Sequence, residues 1–152
     1  MTNLVIKQAS ASDVAAVANL FNLYRQFYEQ APDQTLAQGF IEARIRNNES
    51  VILLAEFKGE AVGFCQLYPS FCSVIAAPIY VLYDLFVHPE QRGIGAGKAL
   101  LLAAEAQAKR AGMKRMDLTT AKTNLTAQSL YESLGWVRDD VFFTYNKHVI
   151  SE

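Results

Sequence analysis

A chain of 152 residues, 51% hydrophobic and 11% aromatic, carries ample material for one packed core, so residues 1–152 are read as a single domain. Its 14 lysines and arginines nearly balance 15 aspartates and glutamates, and the resulting net charge of −1 excludes the broad basic surface that nucleic acid or an anionic membrane would need.

The two cysteines, Cys65 and Cys72, stand in or beside apolar sequence without the spacing of a redox pair or zinc site. Both are expected as buried, reduced thiols, and no metal is expected. The opening MTNLVIKQAS lacks the basic start and long apolar core of a secretory signal. The most apolar stretch, residues 71–87, is interrupted by Ser73, Pro78 and Asp84 and is short for a membrane span. A soluble cytoplasmic protein is the expectation.

Along the chain, residues 3–8 read as a short strand, and the cap signal SASD precedes an amphipathic helix in which Val14, Val17, Phe21, Tyr24 and Phe27/Tyr28 recur at helical spacing. Ala31-Pro32-Asp33 breaks it, and Leu36, Phe40, Ile41 and Ile45 mark a second helix that ends at Asn47-Asn48. VILLAEF and AVGFCQLY flank Lys58-Gly59-Glu60 as a hairpin. Residues 79–87 form a long strand stopped by Pro89, residues 93–111 a helix closed by Gly112, and residues 115–119 a short strand. A helix over residues 124–134 closed by Gly135 and a last strand over residues 142–147 complete the order. The strand–helix–strand step from residue 79 to residue 119 is a crossover, so its two strands are predicted to run parallel within a mixed α/β sheet.

The segment DLFVHPEQRGIGAGKALL, residues 84–101, is where chemistry enters. A strand end, a glycine turn and a helix start present free backbone N–H groups and the positive end of a helix dipole to one point, which suits a phosphate. The nucleoside-triphosphate loop is excluded: Arg92 stands where its first glycine should be, and Ala99 follows Lys98 where a magnesium-binding hydroxyl should be. The dinucleotide fingerprint nearly fits, with Gly93 and Gly95 correctly spaced and Asp117 about 20 residues on. Its third glycine, Gly97, comes one residue early.

Arg92-Gly93-Ile94-Gly95-Ala96-Gly97 resembles the phosphate turn of the GNAT superfamily of acyl-CoA-dependent N-acetyltransferases. A second element agrees: Asn124-x-x-Ala127-x-x-Leu130-Tyr131-Glu132-x-x-Gly135-Trp136 is similar to that family's downstream motif. The resemblance is close from Asp84 to about His148 and loose before residue 75. FNLYRQFYEQAPD with YDLFV resembles the branch that contains histone and polyamine acetyltransferases.

The resemblance implies a GNAT-like α/β fold: a mixed, mostly antiparallel sheet with two splayed parallel strands, flanked by about four helices. It implies acetyl-CoA as co-substrate, held in the gap where the strands separate after residue 84 and before residue 120. Leu85, Phe86 and Val87 would follow the pantetheine arm, and the amides from Arg92 through Gly93, Ile94, Gly95, Ala96 and Gly97 to Lys98 would receive the diphosphate. Lys98 either touches a phosphate or is merely solvated. An amide at Phe86 or Val87 would meet the oxyanion if the strand bulges. Asn124, an ordinary helix cap by local sequence, would also contact the cofactor arm.

Transfer to an amine raises two proton problems. With a pKa of about 10.4, a primary amine is neutral at pH 7 in roughly one molecule in two thousand, and the departing thiolate needs a proton or solvation. Tyr131 is implied as the general acid. Spacing alone reads it as part of the helix stripe Ala127, Leu130, Tyr131, Leu134. Asp84, a carboxylate inside IYVLYDLFV, costs several kcal/mol unless it has a partner or a purpose. It either pairs with a lysine or arginine, or attracts the acceptor ammonium and relays its proton with Tyr83 beside it. Tyr24, Phe27 and Tyr28 line an amine pocket or form one face of a core helix. The expected acceptor is a small amine, polyamine or peptide amine; relatives of this kind are often homodimers, with Phe142-Phe143-Thr144-Tyr145 available to take part. The rival class is a non-catalytic acyl-CoA-binding or sensing module, which would keep the glycine turn and be indifferent to Tyr131.

Overall fold

A computed structural model describes residues 3–150, so the outermost positions of the 1–152 assignment lie outside the described residues. The chain divides between Thr119 and Thr120 into two compact units.

The first unit runs β1 (Leu4–Gln8), α1 (Val14–Phe27), α2 (Gln34–Arg46), β2 (Val51–Phe57), β3 (Glu60–Cys72), β4 (Ala77–Val87), α3 (Ala96–Arg110) and β5 (Met116–Asp117). Its sheet has the order β1-β2-β3-β4-β5, antiparallel through β4 and parallel between β4 and β5. The mixed sheet predicted from sequence is therefore present. Local chemistry accounts for the punctuation. Asp13 accepts the Ser10 amide at 2.9 Å in a short 3₁₀ turn that leads into α1. Asp33 caps α2 by accepting the Leu36 amide at 3.0 Å. Lys58 and Gly59 both take positive φ, +53° and +82°, the two-residue hairpin geometry that matches strand twist.

The sheet buries both faces. On one, Ile52, Leu54, Phe64 and Phe86 pack with Val17, Leu20 and Phe21 of α1 and Ile41 of α2. Helix α3 packs on β1 to β4 with Leu100, Leu101, Ala104 and Ala108 buried. At Gly63 a side chain is excluded, because a Cβ there would lie 2.8 Å from the Phe86 carbonyl oxygen.

Two irregularities position the site. Gln66 pairs with Asp84 and Leu67 with Leu82, which leaves Tyr83 as the extra residue of a bulge in β4. The parallel pair β4–β5 covers only Tyr80 with Met116 and Val81 with Asp117. The predicted strand at 115–119 is thus cut to two residues, and the strands part before residue 84. A bulge bends its strand, and this one lies two residues past the last position paired with β5.

The second unit holds α4 (Leu125–Ser133), capped by Asn124, whose Oδ1 accepts the Ala127 amide at 3.3 Å. Gly135, at φ +93°, follows its end. The strand expected over residues 142–147 is absent among the described residues. The Asp139 carboxylate takes the amides of Val141 and Phe142 at 3.1 and 3.2 Å, and aromatic β-propensity without a neighbouring ladder does not make a strand.

Cys65 is buried as expected, its thiol pushed up to about 12 by burial. Cys72 is only half-buried, which corrects the expectation for that residue; it lies at the end of β3, where the backbone amide of Ile75, followed by the Arg115 side chain, lowers its pKa. Among the described residues no helix is long and apolar enough to cross a membrane, and no three His, Cys, Asp or Glu side chains gather to hold a metal ion.

Candidate active site

Strand β4 ends at Val87, and Pro89–Gln91 form a 3₁₀ turn that opens the connection to α3. Gly93 and Gly95 adopt φ of +90° and +82°, the left-handed region that favours glycine. A Cβ at either would meet nothing within 4 Å, so tight helix-on-strand packing does not explain these glycines. Their backbone conformation does, and it leaves the main chain approachable. The first intrahelical bond of α3 runs from the Ala99 amide to the Gly95 carbonyl at 3.0 Å, so the amides of Ala96, Gly97 and Lys98 precede the helical ladder. Convergent donors, open space and the positive end of a 15-residue helix suit a diphosphate. Arg92 and Lys98 are exposed beside it, Ile94 is half-buried, and the Ala96 side chain turns into the core.

Among the described residues the outer edge of β4 beyond Val81 has no strand neighbour. The His88 amide donates to the Val62 carbonyl of β3 at 2.8 Å. Backbone groups alternate along a strand, so the Phe86 amide points toward β3 while those of Leu85 and Val87 point to the unpaired edge. Of the two amides suggested for an oxyanion, only that of Val87 is on the open side. The edge offers an extended ligand the ladder of donors and acceptors that another strand would use.

Asp84 is 4% exposed and has no lysine or arginine partner among the described residues. The structural ion pair considered for it is not formed. Its Oδ2 instead accepts from Gln66 Nε2 at 2.6 Å, and Gln66 Oε1 accepts from the Ser50 hydroxyl at 2.7 Å. Burial pushes the Asp84 carboxyl above the usual carboxylate range, and hydrogen bonds from Gln66 and Tyr24 pull it partly back. Composition and motif drew no notice to Gln66 or Ser50. The signal available was the same one that marked Asp84, a polar residue interrupting the apolar run VGFCQLY.

Tyr24 packs into the core face of α1 and carries a polar end. Its ring packs on Phe64 and Phe86 at 5.9 and 6.1 Å, while its hydroxyl donates to the Tyr83 carbonyl at 3.3 Å and interacts with Asp84. Burial, then Asp84, holds that phenol protonated far above its ordinary range. Tyr28 stacks edge-on against Tyr24 at 5.1 Å and Phe27 against Tyr28 at 5.2 Å, both largely exposed. Tyr83, thrown out by the bulge, is 67% exposed and meets Tyr68 at 5.6 Å. Asp84, Tyr24, Tyr28 and Tyr83 are thus gathered on one part of the first unit, with Tyr68 added.

In the second unit Asn124 spends its Oδ1 on the cap, which leaves the amide nitrogen of its side chain for another partner. Tyr131 is half-buried on α4, its ring 6.1 Å from that of Trp136 and its carbonyl accepting the Trp136 amide at 3.1 Å.

The Acetyltransferase (GNAT) family profile matches residues 15–136, most of both units. The chain is 51% identical over 140 residues to the uncharacterised N-acetyltransferase YhfO of Bacillus subtilis (strain 168), covering 92% of this chain and 94% of that one. The crystal structure of a probable acetyltransferase superposes with a TM-score of 0.89 at 35% identity over 97% of this chain and 99% of its own. The aminoglycoside N-acetyltransferase AAC(6')-Iy, solved in complex with CoA, shares the fold with a TM-score of 0.82 at 18% identity over 98% of this chain and 97% of its own. Motifs, sheet and relatives agree: the chain belongs to the GNAT family of acetyltransferases.

Proposed function

We propose that this acetyltransferase moves the acetyl group of acetyl-CoA to a primary amine by direct attack within a ternary complex, residues 1–152 acting as one cytoplasmic catalytic domain. The acceptor is a polyamine, a small amine or a lysine side chain, as in the histone and polyamine branch. The observation that carries this reading is Asp84, a buried carboxylate without a cation among the described residues, on the strand whose far edge has no paired strand beyond Val81 among them.

When bound, acetyl-CoA supplies an activated acyl group as a thioester. The residues do the rest. Amides between Arg92 and Lys98 bind the diphosphate, the open edge at Leu85 to Val87 orients the arm, and the Asn124 amide group adds a side-chain contact. Asp84 draws in the ammonium, takes one proton and passes it to water, so the neutral amine can attack. Tyr24, Tyr28 and Tyr83 shape the approach and shield the site from water. As the N–C bond forms and the C–S bond breaks, the nitrogen gives up its second proton to water, and the Tyr131 phenol gives its own proton to the sulfur and regains one from solvent. The Val87 amide faces the oxygen on which charge gathers. A homodimer belongs to this reading; Phe142, Phe143 and Tyr145 are almost fully exposed, in keeping with a partner surface.

The test mixes protein, acetyl-CoA and a panel of polyamines, amino acids and lysine peptides, and follows free thiol. Release with at least one amine is expected, with kcat falling about 10²-fold in Tyr131→Phe or Asp84→Asn. Release that survives Tyr131→Phe undiminished removes the assigned acid. No release with any amine, despite cofactor binding, favours the sensing module.

A further inference from the structure

We propose that Gln66 and Ser50 are positioning residues of the acceptor site, holding the Asp84 carboxylate in its charged form and fixing which of its oxygens meets the incoming ammonium. The inference rests on the reading of Asp84 as the group that receives the amine's proton.

Gln66 is fully buried on the central strand β3, opposite Asp84 in register, and Ser50 immediately precedes β2. A buried amide earns no packing advantage over leucine or methionine, and left unpaired it is costly. Here both of its ends are used. Ser50 Oγ donates to Oε1 at 2.7 Å and Nε2 donates to Asp84 Oδ2 at 2.6 Å. An amide has one accepting end and one donating end, so its orientation is decided by its neighbours. With the amide reversed, Oε1 would face Oδ2, two acceptors at hydrogen-bond distance, tolerable only if Asp84 carried a proton. The Ser50 hydroxyl can donate or accept, so the carboxylate selects the orientation in which Nε2 donates, and Ser50 then satisfies the Oε1 that this orientation turns away from it. Oδ2 is committed to Gln66, and Oδ1 remains for the substrate.

Other groups do not replace this pair. Tyr24 faces Asp84 from α1, the Asp84 charge is felt by Tyr68 and Cys65 of β3, and Tyr83 stands beside it on β4. Arg44 of α2 and Glu49 influence Tyr68 and pair with each other at 2.9 Å. Among the described residues no charged side chain acts directly on Asp84. Among neutral donors, Gln66 offers the short, fully buried bond, where a charge-assisted hydrogen bond is strongest.

The experiment is a carbon-detected NMR titration of the Asp84 carboxyl in the full-length protein, the Gln66→Leu variant and the Ser50→Ala variant, beside pH profiles of kcat/KM for each. The Asp84 midpoint is expected to rise by about one pH unit or more in Gln66→Leu and by less, in the same direction, in Ser50→Ala. The acidic limb of kcat/KM follows by the same amount. A midpoint unchanged in folded Gln66→Leu overturns the proposal; if that variant does not fold, an unchanged midpoint in Ser50→Ala does so. A midpoint that moves while the acidic limb stays still upholds the hold of Gln66 on the Asp84 charge. That last result removes Asp84 from proton transfer, so the failure of the underlying reading is told apart from the failure of this one.

Discussion

In the proposed mechanism, Asp84 sets function against stability. Its carboxyl holds a proton more tightly in the folded chain than in the unfolded one, because burial outweighs the hydrogen bonds from Gln66 and Tyr24. The folded state therefore carries the extra proton between the unfolded carboxyl value of about 3.9 and its own higher value. The contribution of this group to stability is greatest at or below the lower value and falls as pH rises through that window. Asp84→Asn keeps the acceptor for Gln66 and removes the buried charge. Thermal melts at pH 7 should show the variant more stable by about 1–2 kcal/mol, with the difference shrinking toward pH 4, while kcat falls about 10²-fold. A variant less stable than the parent at pH 7 contradicts this account of the site. Asp84 was legible because a lone acid in IYVLYDLFV conflicts with its surroundings. Its partner was not, because pairing Gln66 with Asp84 requires the register of β3 against β4, and that register shifts at the bulge between them.

At the scale of elements, two glycines make opposite demands. Gly63 is fixed by crowding: an alanine Cβ would sit 2.8 Å from the Phe86 carbonyl oxygen, a backbone atom that can move only with its strand. Gly63→Ala should cost about 1–3 kcal/mol in chemical denaturation and raise the KM for acetyl-CoA, because β4 carries the open edge. Gly95 is fixed by conformation alone, with φ +82° and open space around it. Gly95→Ala should cost about 1–2 kcal/mol and weaken CoA binding, since the turn must relax toward a conformation alanine prefers. A variant that binds CoA as tightly as the parent removes the turn from the site. The hairpin at Lys58-Gly59 and the helices α1 and α3 were readable, because their periodicity and turn residues act locally. The bulge at Tyr83, the two-residue length of β5 and the missing strand at residues 142–147 were not. Each depends on whether a neighbouring strand is in reach, which no local pattern encodes.

For the whole molecule, a nearly neutral chain of net charge −1 does not gather an anionic cofactor by its summed field. In the proposed reading, capture of CoA falls to the local donors of the glycine turn and the edge of β4 beyond Val81. Ligand that binds only the folded chain stabilises it by mass action, so CoA at about 100 times its Kd should add about 2.7 kcal/mol to unfolding. Isothermal titration calorimetry of the purified, folded protein, with CoA and with pantetheine lacking the diphosphate, tests the central claim most directly. Saturable one-to-one binding of CoA is predicted, with pantetheine far weaker at the same concentrations. Equal affinity for the two compounds, or no heat with either, would contradict a diphosphate cradle at Gly93 to Lys98.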